Sequence, residues 1–120
     1  MYYDEEEIRK KAERIQRLID RAMETNNLDI AIKKLDEALE IAEEDGVSSV
    51  VSIIWGMKGA TFFDYGAPPV LAIKCLKNAI MADPSNESNY DLLARIYIEI
   101  DEPEIAMRYM NQARMLSRGY

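Results

Sequence analysis

Residues 31–39 read AIKKLDEAL, residues 72–80 read AIKCLKNAI, and residues 106–114 read AMRYMNQAR. Each copy contains a small residue, a large apolar residue and a second small residue at helical spacing. The second copy begins 41 residues after the first, and the third begins 34 residues after the second. Internal repeats with such periods indicate helical hairpins that stack side by side rather than a simple bundle.

The sequence around these copies divides into six predicted helices and shows no alternating strand pattern. Asp4, Asn27 and Asn86 are expected as N-caps, and Gly46 and Gly66 are expected to end the second and third helices. Prolines stand in the first turn of the fourth and sixth helices, where they are tolerated. The helices are predicted to span about 5–25, 28–44, 48–66, 69–83, 87–100 and 103–117.

The repeated element resembles the tetratricopeptide repeat, a 34-residue helix-turn-helix unit with small and bulky residues alternating on its second helix. Trp55, Gly59 and Phe62 are similar to a run on the first helix of that family, and residues 83–86 (DPSN) are similar to its junction between repeats. The first repeat keeps the fewest of these features. In the last repeat, the matching first-helix positions are Tyr90, Leu93, Ala94 and Tyr97.

The resemblance implies an all-α fold, an α-solenoid of three tetratricopeptide-like repeats whose six antiparallel helices form a right-handed superhelical stack. The repeats would cover about residues 4–46, 47–84 and 85–120, so that residues 1–120 form a single domain. The longer first period adds about two helical turns, which leaves the buried faces in place. An extra residue in the turn at residues 68–69 leaves the register of the third helix open by one residue.

The repeated positions are interpreted first as core. Gly56 and Gly59 each cost about 1 kcal/mol relative to alanine inside a helix. Both glycines therefore indicate a closely packed neighbouring helix, with a bound ligand as the alternative. Small side chains that let paired helices approach are Ala31, Ala38, Ala72, Ala79, Ala106 and Ala113, and the residues expected to fill the space between helices are Leu35, Leu76 and Met110.

Composition excludes several classes of function. The chain has 120 residues, 15 Lys and Arg against 22 Asp and Glu, and a net charge of −7, which disfavours nucleic acids and anionic membranes as partners. It has no histidine and one cysteine, so Ser-His-Asp triads, His-ligated metal sites and internal disulfides are excluded. Phosphate-binding and calcium-binding motifs are also missing. We therefore expect no enzymatic activity, no metal and no cofactor.

Neither a targeting signal nor a membrane span is expected. The N-terminus is acidic where a signal peptide is basic. The apolar stretch 47–63 contains three serines and Lys58, and it is too short for a span. A cytoplasmic location is the expectation that follows.

Stacked helical hairpins bind extended peptides or helices in a concave groove lined by the first helix of each repeat. The resemblance thus implies a protein-protein interaction module. The expected partner segment is apolar and carries one or two acids. The apolar part is indicated by Met23 and Met57, and the acids by Arg17, Lys58 and Arg95. The expected groove residues are Gln16, Arg17, Asp20, Met23 and Glu24 in the first repeat, Ile54, Met57, Lys58, Thr61 and Tyr65 in the second, and Asp91, Leu92, Arg95, Ile98 and Glu99 in the third.

Self-association is the alternative function. The sixth helix carries apolar residues on more than one face, and no further helix follows to cover them. A two-fold homodimer through Tyr109, Met115 and Leu116 is therefore expected. A third alternative is an enzyme or metal protein that uses Cys75 or the acids at 43–45, although a packed, inert thiol is the simpler interpretation of Cys75.

Overall fold

The structure, a computed structural model, describes residues 4–119, and all regular secondary structure in that range is α-helical. This content confirms the predicted all-α class for the described residues, and the helix ends lie within two residues of their predicted positions. The helices are α1 (Glu5–Glu24), α2 (Leu28–Asp45), α3 (Ser48–Asp64), α4 (Pro69–Ala82), α5 (Glu87–Glu99) and α6 (Pro103–Ser117).

The three predicted N-caps are confirmed. The side chains of Asp4, Asn27 and Asn86 accept hydrogen bonds of 3.0, 3.1 and 3.1 Å from backbone N–H groups in the first turns of α1, α2 and α5. Each cap satisfies a backbone donor that has no partner inside its helix. Gly46 and Gly66 follow α2 and α3 with φ of 69° and 71°, a left-handed conformation that suits glycine.

Contacts divide the chain into two compact units, unit 1 (residues 1–47) and unit 2 (residues 48–120). In unit 1, α1 packs against α2. Lys11 Nζ lies 3.0 Å from Asp45 Oδ1, so the start of α1 meets the end of α2 and the two helices are antiparallel. The buried residues are Leu18 and Ala22 on α1, and Ala31, Leu35, Ala38, Leu39 and Ala42 on α2.

In unit 2, α3 packs against α4, α4 against α5, and α5 against α6, with a smaller contact between α3 and α5. The centre of its core is a buried cluster of Ala72, Leu76, Leu93 and Ile96. Half-buried aromatic and aliphatic side chains surround this cluster. They are Phe62, Phe63, Ile73, Ile80, Leu92, Tyr97 and Tyr109.

The two helical glycines mark close approaches between helices, as the sequence predicted. A Cβ atom at Gly59 would lie 2.9 Å from Leu76 Cγ and 3.2 Å from the Ala72 carbonyl oxygen, so α3 and α4 pack at a distance that only glycine permits. At Gly56 a Cβ atom would lie 2.6 Å from Asn89 Oδ1 on α5. Packing against neighbouring helices therefore accounts for both glycines.

A buried polar cluster joins three helices of unit 2. The Ser52 hydroxyl on α3 donates a 2.7 Å hydrogen bond to the Ala79 carbonyl on α4, and Asn89 Nδ2 on α5 lies 3.5 Å from Ser52 Oγ. Buried polar groups need such partners, because an unpaired one loses its hydration without compensation. The cluster fixes the register of α3 against its neighbours.

Three expectations about individual residues are wrong. Thr61, expected on the groove surface, is buried, with 7% of it exposed. Ile54, expected on the groove surface, is fully buried, which shows the register of α3 that the sequence left open. Met110, expected in the core, is 40% exposed and borders a depression between α5 and α6. The six repeated alanines and both repeated leucines are buried, as predicted. The single-domain arrangement of three repeats stays a prediction.

None of the helices found in residues 4–119 is both long enough and apolar enough to cross a membrane.

Candidate functional site

The predicted groove residues of unit 2 lie on α3 and α5, which contact each other. Three of the five on α5 stand at positions 91, 95 and 98, and this spacing places them on one side of the helix. All three are exposed, and Ile98 is 55% exposed although it is apolar. On α3, Met57 and Lys58 are half-buried, and Tyr65, just beyond the helix, is 41% exposed.

Lys58 is held against its own helix by an aromatic ring. Its Nζ lies 5.0 Å from the centre of the Trp55 ring, a distance at which the ammonium is attracted to the face of the indole. The contact orients the side chain and leaves part of it exposed. An ordered cation of this kind loses less conformational entropy when it meets a carboxylate.

Thr61 contributes little to the same surface. It is buried, and its hydroxyl donates a 2.7 Å hydrogen bond to the Met57 carbonyl within α3. Arg95 differs, since it is exposed and forms no ion pair with any residue in 4–119. The guanidinium of Arg95 is therefore the cation on this surface that is best placed to meet a ligand.

Asp91 also borders a depression of about 420 Å³ between α5 and α6. Glu87 on α5 and Met110 and Arg114 on α6 line the same depression. The sequence pattern placed Asp91 on a groove made of first helices alone. The structure adds residues of a second helix to its surroundings.

The predicted groove residues of unit 1 are exposed on α1. Asp20 accepts a 2.9 Å hydrogen bond from Gln16 Nε2 one turn earlier, and Met23 is 51% exposed. Arg17 lines a depression of about 260 Å³. The other side chains around that depression are Arg14, Leu18, Arg21, Lys34 and Glu37, from both α1 and α2.

A larger groove between α4 and α6 was missed by the sequence analysis. Its volume is about 810 Å³, and its apolar lining includes Met81, which is 82% exposed. Tyr90 and Tyr109 also line it. The Tyr90 hydroxyl donates a 2.9 Å hydrogen bond to the Pro84 carbonyl, and burial raises the pKa of this phenol above its usual 10.0.

The residues predicted for self-association differ in exposure. Tyr109 is half-buried, because its ring stacks on that of Tyr97 with the centroids 5.7 Å apart and 11° between the planes. Met115 is 53% exposed, and Leu116 is half-buried. Much of the Tyr109 ring is thus already covered within unit 2, while Met115 presents an apolar side chain to solvent.

The candidates for chemistry are a buried thiol and a carboxylate that is already in an ion pair. The Cys75 thiol is 4% exposed, so a reagent or substrate has little access to it. The carboxylate of Asp45 accepts a hydrogen bond from Lys11, which raises the pKa of that ammonium. Within residues 4–119, no three acidic or cysteine side chains converge into a group that could hold a metal ion.

Comparisons of the chain with protein-family models, with curated proteins and with solved structures found no match.

Proposed function

We propose that this protein is a non-enzymatic, tetratricopeptide-like interaction module of three repeats that binds a peptide or helix of another protein. On this proposal the first helices of the hairpins present the binding surface. In unit 2 that surface consists of Met57, Lys58 and Tyr65 from α3 and its end, together with Arg95 and Ile98 from α5. The chain needs neither a cofactor nor a metal for this role, and the proposal places it in the cytoplasm, which agrees with its single reduced cysteine.

The observation that carries the proposal is the exposed strip on α5. Asp91, Arg95 and Ile98 stand on one side of the helix, and Ile98 exposes more than half of its surface. A cation without an ion pair in residues 4–119, next to an exposed aliphatic side chain, suits a ligand that offers a carboxylate and an apolar group. The neighbouring helix α3, which contacts α5, carries Lys58, whose ammonium the Trp55 ring orients.

Selection from a library of random displayed peptides tests the proposal without a known partner. Peptides retained by the immobilised chain are expected to be apolar with one or two acids. Titration calorimetry then measures each peptide against the Arg95→Glu and Lys33→Glu variants. Because Lys33 is an exposed residue of α2 outside the proposed surface, its reversal is a matched control for the change in charge.

Arg95→Glu is expected to weaken binding by about 1–3 kcal/mol, the loss typical of a charge that is paired at a desolvated interface. Lys33→Glu is expected to leave binding within a few tenths of a kcal/mol. Equal losses for both variants would show that only net charge matters. That result, or a selection that retains no peptide, would contradict the proposal.

A second candidate function is a two-fold homodimer through α6. The observation that favours it is the exposure of Met107, Met110 and Met115, which are 61%, 40% and 53% exposed. Flexible apolar side chains of this kind are common on surfaces that bind other proteins. Sedimentation of the purified chain at several concentrations separates this candidate from the first, because only a homodimer needs no other protein.

A further inference from the structure

The lysines and arginines of α1 differ in whether they form ion pairs. Between residues 5 and 13 of α1, every lysine and arginine lies within 4.0 Å of a carboxylate oxygen, at 3.0 Å in the two closest pairs. The charges on this part of the helix are therefore balanced locally. The ion pairs are Arg9 with Glu6 and Glu13, Lys10 with Glu6, and Lys11 with Glu7 and Asp45.

From residue 14 to the end of α1, the cations lack such partners within residues 4–119. Arg14, Arg17 and Arg21 form no ion pair with any described residue of the chain. The carboxylate of Asp20, which is near them in sequence, accepts instead from the amide of Gln16. Within residues 4–119, three guanidinium groups thus have no carboxylate in ion-pair distance, although the net charge of the chain is −7.

The spacing brings these three arginines together. Positions 14, 17 and 21 differ by three and four residues, so their side chains are neighbours on one side of the helix. Like charges at such spacing destabilise a helix. The arrangement therefore opposes folding slightly, and an anion bound between the side chains would remove the repulsion.

A neighbouring helix completes the surface. Lys34 on α2 lines the same 260 Å³ depression as the three arginines. Its Nζ lies 3.8 Å from Oε2 of Glu37, and among the described residues Glu37 contributes the one carboxylate that lines the depression. Four cations and one acid therefore surround a depression of about 260 Å³.

We infer that Arg14, Arg17, Arg21 and Lys34 form a binding site for the carboxylates of an acidic polypeptide segment. Guanidinium groups bind carboxylates through paired N–H donors, which gives both strength and direction. The net negative charge of the whole chain repels a long polyanion such as a nucleic acid, whereas a short acidic segment interacts mainly with charges within a Debye length. The inference deepens the proposed function and rests on it only for the premise that the chain binds other polypeptides.

The test uses hexaglutamate peptide, blocked at both ends, as the probe. The side-chain Nε–Hε signals of the arginines are followed by NMR during titration of the purified chain. We expect the signals of Arg14, Arg17 and Arg21 to shift, and those of Arg9 and Arg95 to stay in place. Blocked hexaglutamine should cause no shift, and the hexaglutamate shifts should weaken as salt rises from about 50 to about 500 mM.

Two variants with the same change in charge make the test specific. Arg14→Gln with Arg17→Gln is expected to weaken hexaglutamate binding by about tenfold or more, the loss of at least one charge-assisted contact. Arg9→Gln with Lys10→Gln, on the paired half of the same helix, is expected to change it by less than about twofold. Because all four positions are exposed, circular dichroism should show an unchanged helix content in both variants.

Equal losses in the two variants would overturn the inference, as would the absence of shifts at Arg14, Arg17 and Arg21. Inorganic phosphate is titrated separately. If phosphate shifts these signals and hexaglutamate does not, the site takes phosphoryl groups and the inference is wrong. The titration needs no natural partner and reports on unit 1. Its outcome is therefore independent of whether the α3 and α5 surface binds a peptide.

Discussion

Replacing Leu76 by alanine should strongly destabilise unit 2. Leu76 is 1% exposed and belongs to the central buried cluster, so the whole side chain is lost from the core. Removing the equivalent of three methylene groups costs about 2.4 kcal/mol at about 0.8 kcal/mol each. A cavity adds to this cost when the surroundings cannot relax into it. Leu76 faces Gly59 and Ala72, which have no long side chain to fill the space, so the expected total is about 3–5 kcal/mol.

Urea denaturation followed by the fluorescence of Trp55 measures this loss directly. Trp55 is the only tryptophan and lies on α3, so its signal reports on unit 2. Leu71→Ala is the matched control, since it removes the same atoms from the same helix at a position that is 40% exposed. It should cost about 1 kcal/mol or less. A loss below about 1 kcal/mol for Leu76→Ala, or equal losses for the two variants, would refute the assigned packing of α4.

Three further predictions concern unit 2. Gly59→Ala should lower the free energy of unfolding by about 1 kcal/mol in urea melts, because the new Cβ would lie 2.9 Å from Cγ of the buried Leu76. This loss should exceed the gain from the better helix propensity of alanine. A more stable variant would contradict the close packing of α3 and α4. Tyr90→Phe should cost about 0.5–1.5 kcal/mol near neutral pH by removing the hydrogen bond to Pro84. Burial raises the pKa of the Tyr90 phenol in the folded protein, so its contribution to the free energy of unfolding is complete below about pH 10 and is lost as the pH rises further. The difference in stability between about pH 8 and about pH 11 should therefore be smaller in Tyr90→Phe than in the unchanged protein. If the chain forms a homodimer through α6, Met115→Glu should dissociate it, as measured by sedimentation. The control variant Val70→Glu, at an exposed position of α4, should leave the dimer intact. A dimer that Met115→Glu does not affect would exclude the α6 surface.

The helix boundaries could be predicted because local chemistry determines them. Asp4, Asn27 and Asn86 each bond to a backbone N–H only two or three residues away, and Gly46 adopts a conformation that other residues resist. The core alanines could be predicted for a similar reason, since a repeated small residue at helical spacing leaves few other interpretations. The left-handed conformation of Asp101 could not be predicted, because its φ of 62° is unusual for a residue other than glycine.

Features that depend on contacts between distant residues could not be predicted. The burial of Ile54 follows from the register of α3, which Ser52 and Asn89 fix across 37 residues of sequence. Tyr109 is expected from the sequence at a self-association surface, yet its ring stacks on Tyr97 of the preceding helix. The unpaired arginines of α1 were hidden as well, because the net charge of the chain does not reveal which cations have a partner.

The central claim is that the first helices of the hairpins bind a partner segment. NMR tests this claim most directly. A peptide selected from the random library is added to the isotope-labelled chain, and the chemical-shift changes of the backbone amides are mapped onto the sequence. The account predicts that the largest shifts in unit 2 fall in residues 57–65 and 91–98. Shifts confined to α4 and α6 would contradict it.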